Sequence, residues 1–369
     1  MHAITVTPPT PGARKEEVPG PELHPGEIRV QVIECGVCGT DRDIVAGRYG
    51  TAPPGKPSLI LGHENLGEVV ELGAETTGFS VGDLVVATVR RGCGNCRFCA
   101  SNQSDFCETG LYTERGIKGH DGYLAEQYVE QPEYLVPVPK SLRPVAVLLE
   151  PFSVVAKAFE QGTRVLGRYE TQDVTPPRDH PMQALVTGTG AIGILAALLL
   201  RAEGYEVTAV DRHQSSTVAG RLLDSIGAQH VDVADGLQAL GSRRFDLILE
   251  ASGSAGLDLE LPGWLRPNGA LVLTGIPSSD PAPIPVAAGP LFRGMVLSNQ
   301  AIVGSVNANR RYFEAGVSYF QRFSKLYPEA TERVITARRP FDDFGPVLTE
   351  KSPEAIKTVL TVAAPPRAA

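Results

Sequence analysis

The sequence has no segment long enough to cross a membrane. Its longest apolar run, residues 191–200 with Gly193 inside it, is about half of the ~20 residues a spanning helix needs. Basic residues are not in excess: 34 Lys and Arg stand against 42 Asp and Glu, a formal net charge of −8. A nucleic-acid partner, which requires a basic surface, is therefore not expected. The first residues, Met1-His2-Ala3-Ile4-Thr5-Val6, hold neither a basic stretch nor an apolar leader core, so the cytoplasm is the expected compartment. Internal repeats and low-complexity tracts are also missing. With 42% hydrophobic and 21% charged residues over 369 positions, the chain has room for two globular domains, each with its own core.

Cysteine is scarce, at six residues, yet four of them fall in one short loop. Cys93, Cys96, Cys99 and Cys107 are spaced C-x2-C-x2-C-x7-C. Closely spaced thiolates can surround a zinc ion tetrahedrally, the closed arrangement of a structural site. Two disulfides are the alternative for an even count. The length of the chain and the missing export signal favour zinc, because cytoplasmic thiols stay reduced.

Up to Glu150 the chain alternates short β-rich runs with glycine and proline turns. Residues 27–34, 65–72 and 83–89 read as strands of a compact, barrel-like β domain. Pro151 suits a first helical position, and Phe152, Val155, Ala156 and Phe159 supply an apolar helical stripe. A polar loop is expected over 168–181. Strands at 184–187, 206–211, 245–250 and 269–275 then alternate with helices at 191–203 and 217–226. That order predicts an α/β unit, a parallel sheet with helices on both faces. A further helix is expected over 310–323, and the 363–366 tail is expected to fray.

Gly188-Thr189-Gly190-Ala191-Ile192-Gly193 is a G-x-G-x-x-G, and a plain tight turn is its bland explanation. Here it follows an apolar strand, opens a long helix, and precedes Asp211 by 23 residues from Gly188. Together these are the Rossmann arrangement, in which the helix N-terminus takes the pyrophosphate. Asp211 would bond the adenine ribose hydroxyls, which favours NAD. Arg212 and His213 follow directly and could receive a 2′-phosphate, so NADP stays open.

A second metal set is less conspicuous. Cys38 in C-G-T-D, His63 and Glu64 in G-H-E, and Glu150 before Pro151 could place sulfur, nitrogen and oxygen around a zinc with one open position, as catalysis requires. Glu64 could approach the metal or order its water. Core packing for Cys38 and His63, and helix-end electrostatics for Glu150, are the bland alternatives. Cys35 is expected to be buried packing.

In this order the motifs resemble the zinc-dependent medium-chain alcohol dehydrogenases over nearly the whole chain. Glu114-Arg115-Gly116-Ile117, Leu149-Glu150-Pro151, Asn299 in S-N-Q-A-I-V-G, and Gly304-Ser305-Val306-Asn307-Ala308-Asn309 resemble the glucose dehydrogenase branch. The resemblance implies a GroES-like catalytic domain at 1–152 and 305–369, and a Rossmann domain at 153–304. It implies catalytic zinc on Cys38, His63 and Glu150 with Glu64 close by, and a second, structural zinc. Thr40 would contact the reacting hydroxyl, while Glu114, Asn307 and Glu150 would bind sugar. The implied reaction is oxidation of an aldose, glucose first, at C1 to the lactone with hydride transfer to NAD or NADP. A zinc polyol or alcohol dehydrogenase and a non-catalytic nucleotide binder are the alternatives. Relatives of this kind form dimers or tetramers, so a homo-oligomer is expected. Three departures stand out: Asp43 replaces the usual proton-relaying histidine, Val89 replaces an asparagine of some sugar-binding members, and Asp211 replaces the neutral residue common in NADP-preferring relatives.

Overall fold

The structure is a computed structural model that describes residues 1–169, 180–212, 217–277, 283–350, 352 and 354–362. His213, most of the expected 168–181 loop and the 363–366 tail lie outside the described residues. The chain divides into two compact units, Met1–Ser153 with Asn307–Gln321 and Ile335–Ala369, and Val154–Val306 with Arg322–Val334. The stretch 305–369, expected to lie wholly in the catalytic domain, is thus split. Arg322 Nη1 donates to Glu203 Oε1 at 2.6 Å, and the helix Pro328–Arg333 packs on the helix Val218–Ser225. Those contacts tie Arg322–Val334 to the second unit.

In the first unit the main sheet runs in the order Leu135–Val138, Leu84–Ala87, Glu64–Leu72, Ile28–Val37, Lys357–Thr361, Ile335–Pro340. The strand Ile28–Val37 is rich in β-branched residues, and Ile28, Val30 and Val32 are completely buried with Val69, Val85 and Leu360. Each such side chain contributes roughly 1.5–3 kcal/mol of burial. This strand fixes the site through its register. Gly36 faces Glu64 on one neighbour, and Val37 faces Thr358 on the other, both antiparallel. Cys38, Glu64 and Lys357 therefore meet at one end of the sheet.

The second unit holds a six-stranded, fully parallel sheet. Its order is Gln229–Asp232, Glu206–Asp211, Gln183–Thr187, Phe245–Glu250, Leu265–Leu273, Ala301–Gly304. Counted along the chain this is 3-2-1-4-5-6, the doubly wound order, with the ligand crevice where the winding reverses beyond the first strand. The strands at 206–211 and 245–250 have the expected bounds, and the helix Ala191–Ala202 is one residue shorter than expected. The outer strands Gln229–Asp232 and Ala301–Gly304 were not anticipated, being four residues each.

The helix Leu149–Leu166 starts two residues before Pro151. Pro151 is thus the third helical residue rather than the first, still within the turn whose N–H groups lack an intrahelical acceptor. Phe152 on this helix packs edge-on against Phe320, with ring centroids 5.2 Å apart.

Candidate metal centres and active site

Cys38 caps the helix Gly39–Val45. Its Sγ accepts the Thr40 N–H at 3.2 Å, and the Asp41 carboxylate accepts the Cys38 N–H at 2.9 Å. His63 stands just before the strand Glu64–Leu72, with Nε2 3.2 Å from Cys38 Sγ. Its other ring nitrogen, Nδ1, lies 3.3 Å from Asp41 Oδ1, at ion-pair distance without hydrogen-bond alignment. The Glu64 carboxylate occupies space that only a glycine leaves free, since a Cβ on Gly36 would sit 2.0 Å from Glu64 Oε2. Ligand atoms of Cys38, His63 and Glu64 all lie within 4.8 Å of one another.

Cys38 and His63, with a neighbouring carboxylate from Glu64 or Glu150, fit a zinc ion. They combine a thiolate, an imidazole and carboxylate chemistry, and the histidine turns one nitrogen to a carboxylate and the other to the cluster. Glu150 is buried and shares the cluster's field, although it falls outside the tight grouping. Burial pushes its carboxyl up to about 7, against the pull of His63 and with a further push from Glu64. His63 is held well above its ordinary value: burial opposes the charge, but Asp41 and Cys38 outweigh it. Asp41 is held low despite burial, chiefly by His63 and by the Cys38 N–H.

Lys357, which no sequence motif singled out, is part of this cluster. Its Nζ donates to Glu64 Oε1 at 2.6 Å, to Oε2 at 2.7 Å and to the Val37 carbonyl at 3.2 Å. Burial would strip its charge, yet Glu64 first and then Cys38 hold its pKa above the ordinary value. Cys35 is fully buried beside these groups, as expected of packing.

The cysteine loop forms a second ligand grouping. All six cysteines are free thiols, and the sulfurs of Cys93, Cys96, Cys99 and Cys107 lie within 4.8 Å of one another. The Thr109 hydroxyl and backbone N–H groups draw Cys93 down to about 6, while burial pushes Cys99 up to about 12. Four converging sulfurs fit a structural zinc.

Glu114 and Asn307 come together although 193 residues separate them: Asn307 Nδ2 donates to Glu114 Oε1 at 2.7 Å. The same oxygen accepts Arg90 Nε and Nη2 at 3.1 and 2.9 Å. Glu114 is buried, which removes the bland reading of a surface carboxylate. Arg90 lies over the Tyr112 ring, 3.8 Å from its centroid.

In the second unit, Gly188-Thr189-Gly190 leads into the helix Ala191–Ala202, capped by Gly190. A Cβ on Gly193 would lie 1.8 Å from the Gly188 carbonyl oxygen, so helix and turn approach as closely as the fingerprint requires. At Gly190 a Cβ would meet nothing within 4 Å, the open approach a pyrophosphate needs. Asp211 ends the second strand and is engaged by the Thr189 hydroxyl and by His230 Nε2 at 3.1 Å. Arg212 is exposed beside it.

Comparison with known proteins gives this arrangement a family. Residues 24–140 match the alcohol dehydrogenase GroES-like domain, and residues 143–362 match the glucose dehydrogenase C-terminus. The chain belongs to the glucose dehydrogenase branch of the zinc-dependent medium-chain dehydrogenases. Among its relatives in this family is glucose 1-dehydrogenase of Methanocella arvoryzae, 39% identical over 92% of this chain and 93% of that one. Glucose 1-dehydrogenase of Metallosphaera sedula is 38% identical over 98% of each. The Haloferax mediterranei glucose dehydrogenase structure, in complex with NADP, zinc and gluconolactone, is 32% identical. It covers 99% of this chain and 100% of its own, with a TM-score of 0.87. An alcohol dehydrogenase of Thermotoga maritima, 23% identical with a TM-score of 0.79 and 98% of each chain covered, shares the fold. Among the described residues no helix is long and apolar enough to cross a membrane.

Proposed function

We propose that this chain oxidises an aldose, D-glucose first, at C1 to the lactone, with the hydride passing to NAD or NADP. The observation that carries the sugar assignment is the buried Glu114–Asn307 pair. All three hydrogen bonds to Glu114 described above fall on Oε1, which leaves Oε2 for a sugar hydroxyl. The family membership and the gluconolactone complex of the Haloferax relative support the same reading.

Each residue then has a role. Cys38, His63 and Glu150 would hold a zinc ion that, when bound, supplies Lewis-acid polarisation of the C1 hydroxyl. Glu64 stays alongside, because Lys357 already engages both of its oxygens. Asp41 orients the His63 ring so that Nε2 faces Cys38. Thr40, whose N–H is tied to Cys38 Sγ, orients the reacting hydroxyl and helps to take its proton. With Asp43 three residues on, paired to Arg48, the proton leaves through carboxylate or water instead of a histidine. The Gly188–Gly193 turn takes the pyrophosphate of the dinucleotide, whose nicotinamide supplies the hydride acceptor. Asp211 takes the ribose hydroxyls and favours NAD, while the adjacent Arg212 accommodates NADP. The cysteine quartet takes a structural zinc, and a cytoplasmic setting keeps its thiols reduced.

We also assign the protein to a homo-oligomer, a dimer or tetramer. The edge strand Ala301–Gly304 pairs on one side among the described residues, and Phe292, Val296, Leu297 and Ile302 are exposed in the same unit. A second copy of the chain would cover both. Light scattering reads the mass directly, and a monomer would refute the assignment.

A panel of aldoses and polyols, followed at the reduced-nicotinamide absorbance with NAD and with NADP, tests the reaction. Turnover of glucose, galactose or xylose is expected. Turnover of polyols alone would assign a different hydroxyl, and no turnover with one zinc per chain would indicate a nucleotide binder.

A further inference from the structure

The cysteine loop carries a buried aspartate bonded both to Arg90, the partner of Glu114, and to Asn309, two residues from Asn307. Asp105 lies in the short 3-10 turn Ser104–Phe106, between Cys99 and Cys107, and is 5% exposed. Its backbone carbonyl accepts Arg90 Nη1 at 3.2 Å. The same guanidinium donates through Nε and Nη2 to Glu114 Oε1. On its other side the Asp105 carboxylate, through Oδ1, accepts Asn309 Nδ2 at 2.8 Å across 204 residues of sequence.

Asn309 stands two residues after Asn307 and is itself buried. Its own Oδ1 accepts the Arg311 N–H at 3.1 Å at the start of the helix Arg310–Leu326. Between the two asparagines the backbone is tightly specified. Asn307 has φ +56°, and its Oδ1 accepts the Ala308 N–H at 2.7 Å. The loop has little freedom once Asn309 is anchored, so the anchor sets where Asn307 Nδ2 points.

We propose that Asp105 is a positioning residue for the sugar: its carbonyl fixes Arg90 and thereby Glu114, and its carboxylate fixes Asn309 and thereby Asn307. The inference rests on the reading of Glu114 and Asn307 as sugar-binding residues. The cysteine loop then acts on substrate affinity at a distance, through one residue that touches neither substrate nor cofactor. A hydrogen bond between two buried side chains leaves its partner unsatisfied when it is broken and tolerates little displacement.

The test compares Asp105→Ala, Asp105→Asn and Glu114→Ala in the holoenzyme. The Asp105 carbonyl survives either substitution at that position, so the pair isolates the carboxylate arm. Asp105→Ala is expected to raise KM for glucose about tenfold. KM for the nicotinamide cofactor should stay within about twofold and kcat should fall less than KM rises. At a fixed concentration glucose should also protect the variant less against thermal unfolding, with wild-type protection recovered at about tenfold more glucose. Asp105→Asn keeps an Oδ1 acceptor for Asn309 and is expected to recover most of the glucose affinity. Should Asp105→Ala not fold, Asn309→Ala removes the same bond from the other end, together with the bond to the Arg311 N–H, and should raise the glucose KM at least as much.

A glucose KM unchanged in Asp105→Ala, with Glu114→Ala raising it, would overturn the proposal and leave the sugar subsite standing. Loss in Asp105→Asn as large as in Asp105→Ala would also overturn it, because the negative charge rather than the bond to Asn309 would then be responsible. A glucose KM unchanged in Glu114→Ala would overturn the subsite itself, and the role of Asp105 with it.

Discussion

Lys357→Met should destabilise the catalytic unit far more than an ordinary lysine substitution. Lys357 and Glu64 are 3% and 2% exposed at their side chains, and the ammonium meets both carboxylate oxygens at 2.6 and 2.7 Å. Without Lys357 the Glu64 carboxylate is left buried, with Gly36 packed against it and the acidic groups of Asp41 and Glu150 nearby. Breaking a buried pair by removing one partner costs about 3–5 kcal/mol. At about 2–4 °C per kcal/mol for a unit of this size, the melting temperature should fall by roughly 6–20 °C. The double variant Glu64→Gln, Lys357→Met removes both charges and should regain most of that loss, because the penalty comes from the orphaned charge. Differential scanning calorimetry of the three proteins decides the matter. A fall of less than about 2 °C in the single variant, or a double variant no more stable than the single, would refute the reasoning.

Gly193→Ala places a Cβ 1.8 Å from the Gly188 carbonyl oxygen, a clash with backbone that no rotamer relieves. Fluorescence titration should show NADH affinity weakened about tenfold or more, with zinc content unchanged; wild-type affinity would contradict the role given to the turn. On the proposed role of Asp211, Asp211→Ala removes a carboxylate that would repel a 2′-phosphate, so the ratio of kcat/KM for NADP to that for NAD should rise about tenfold, and a constant ratio would exclude Asp211 from cofactor choice. Glu130 is held at about 2, against burial, by Arg115 and Arg91, compared with an ordinary value of 4.5. Because the folded value is depressed, its contribution, on the order of 3 kcal/mol, is present above about pH 4.5 and is lost as pH falls towards 2. Glu130→Gln should therefore flatten acid denaturation in that window, and an unchanged acid limb would refute the assignment.

Some of this was legible in the sequence because it is written locally. The glycine fingerprint, the strands at 206–211 and 245–250, and the cysteine quartet each lie within one short stretch whose spacing carries the chemistry. Glu114 and Asn307 were legible only through family resemblance. A glutamate in a strand and an asparagine in a turn say nothing alone, and their 2.7 Å contact depends on the folded chain. Lys357, Arg90 and Asp105 were not legible at all. Lys357 reaches Glu64 across 293 residues because Lys357–Thr361 pairs with Ile28–Val37 in one particular register. Asp105 reaches Asn309 across 204 residues. Single charged residues at such separations leave no periodic trace, and only the register of strands and loops brings them together.

The most direct test of the account is the zinc content and activity of Cys38→Ser. Elemental analysis of the wild-type chain should give two zinc ions per chain, one for each ligand grouping. Cys38→Ser should retain one, held by the cysteine quartet, with an unchanged fold by circular dichroism and glucose-dependent reduction of NAD or NADP lowered by about a hundredfold or more. A variant that kept two zinc ions and full turnover would contradict the assignment of catalysis to the Cys38–His63–Glu150 cluster.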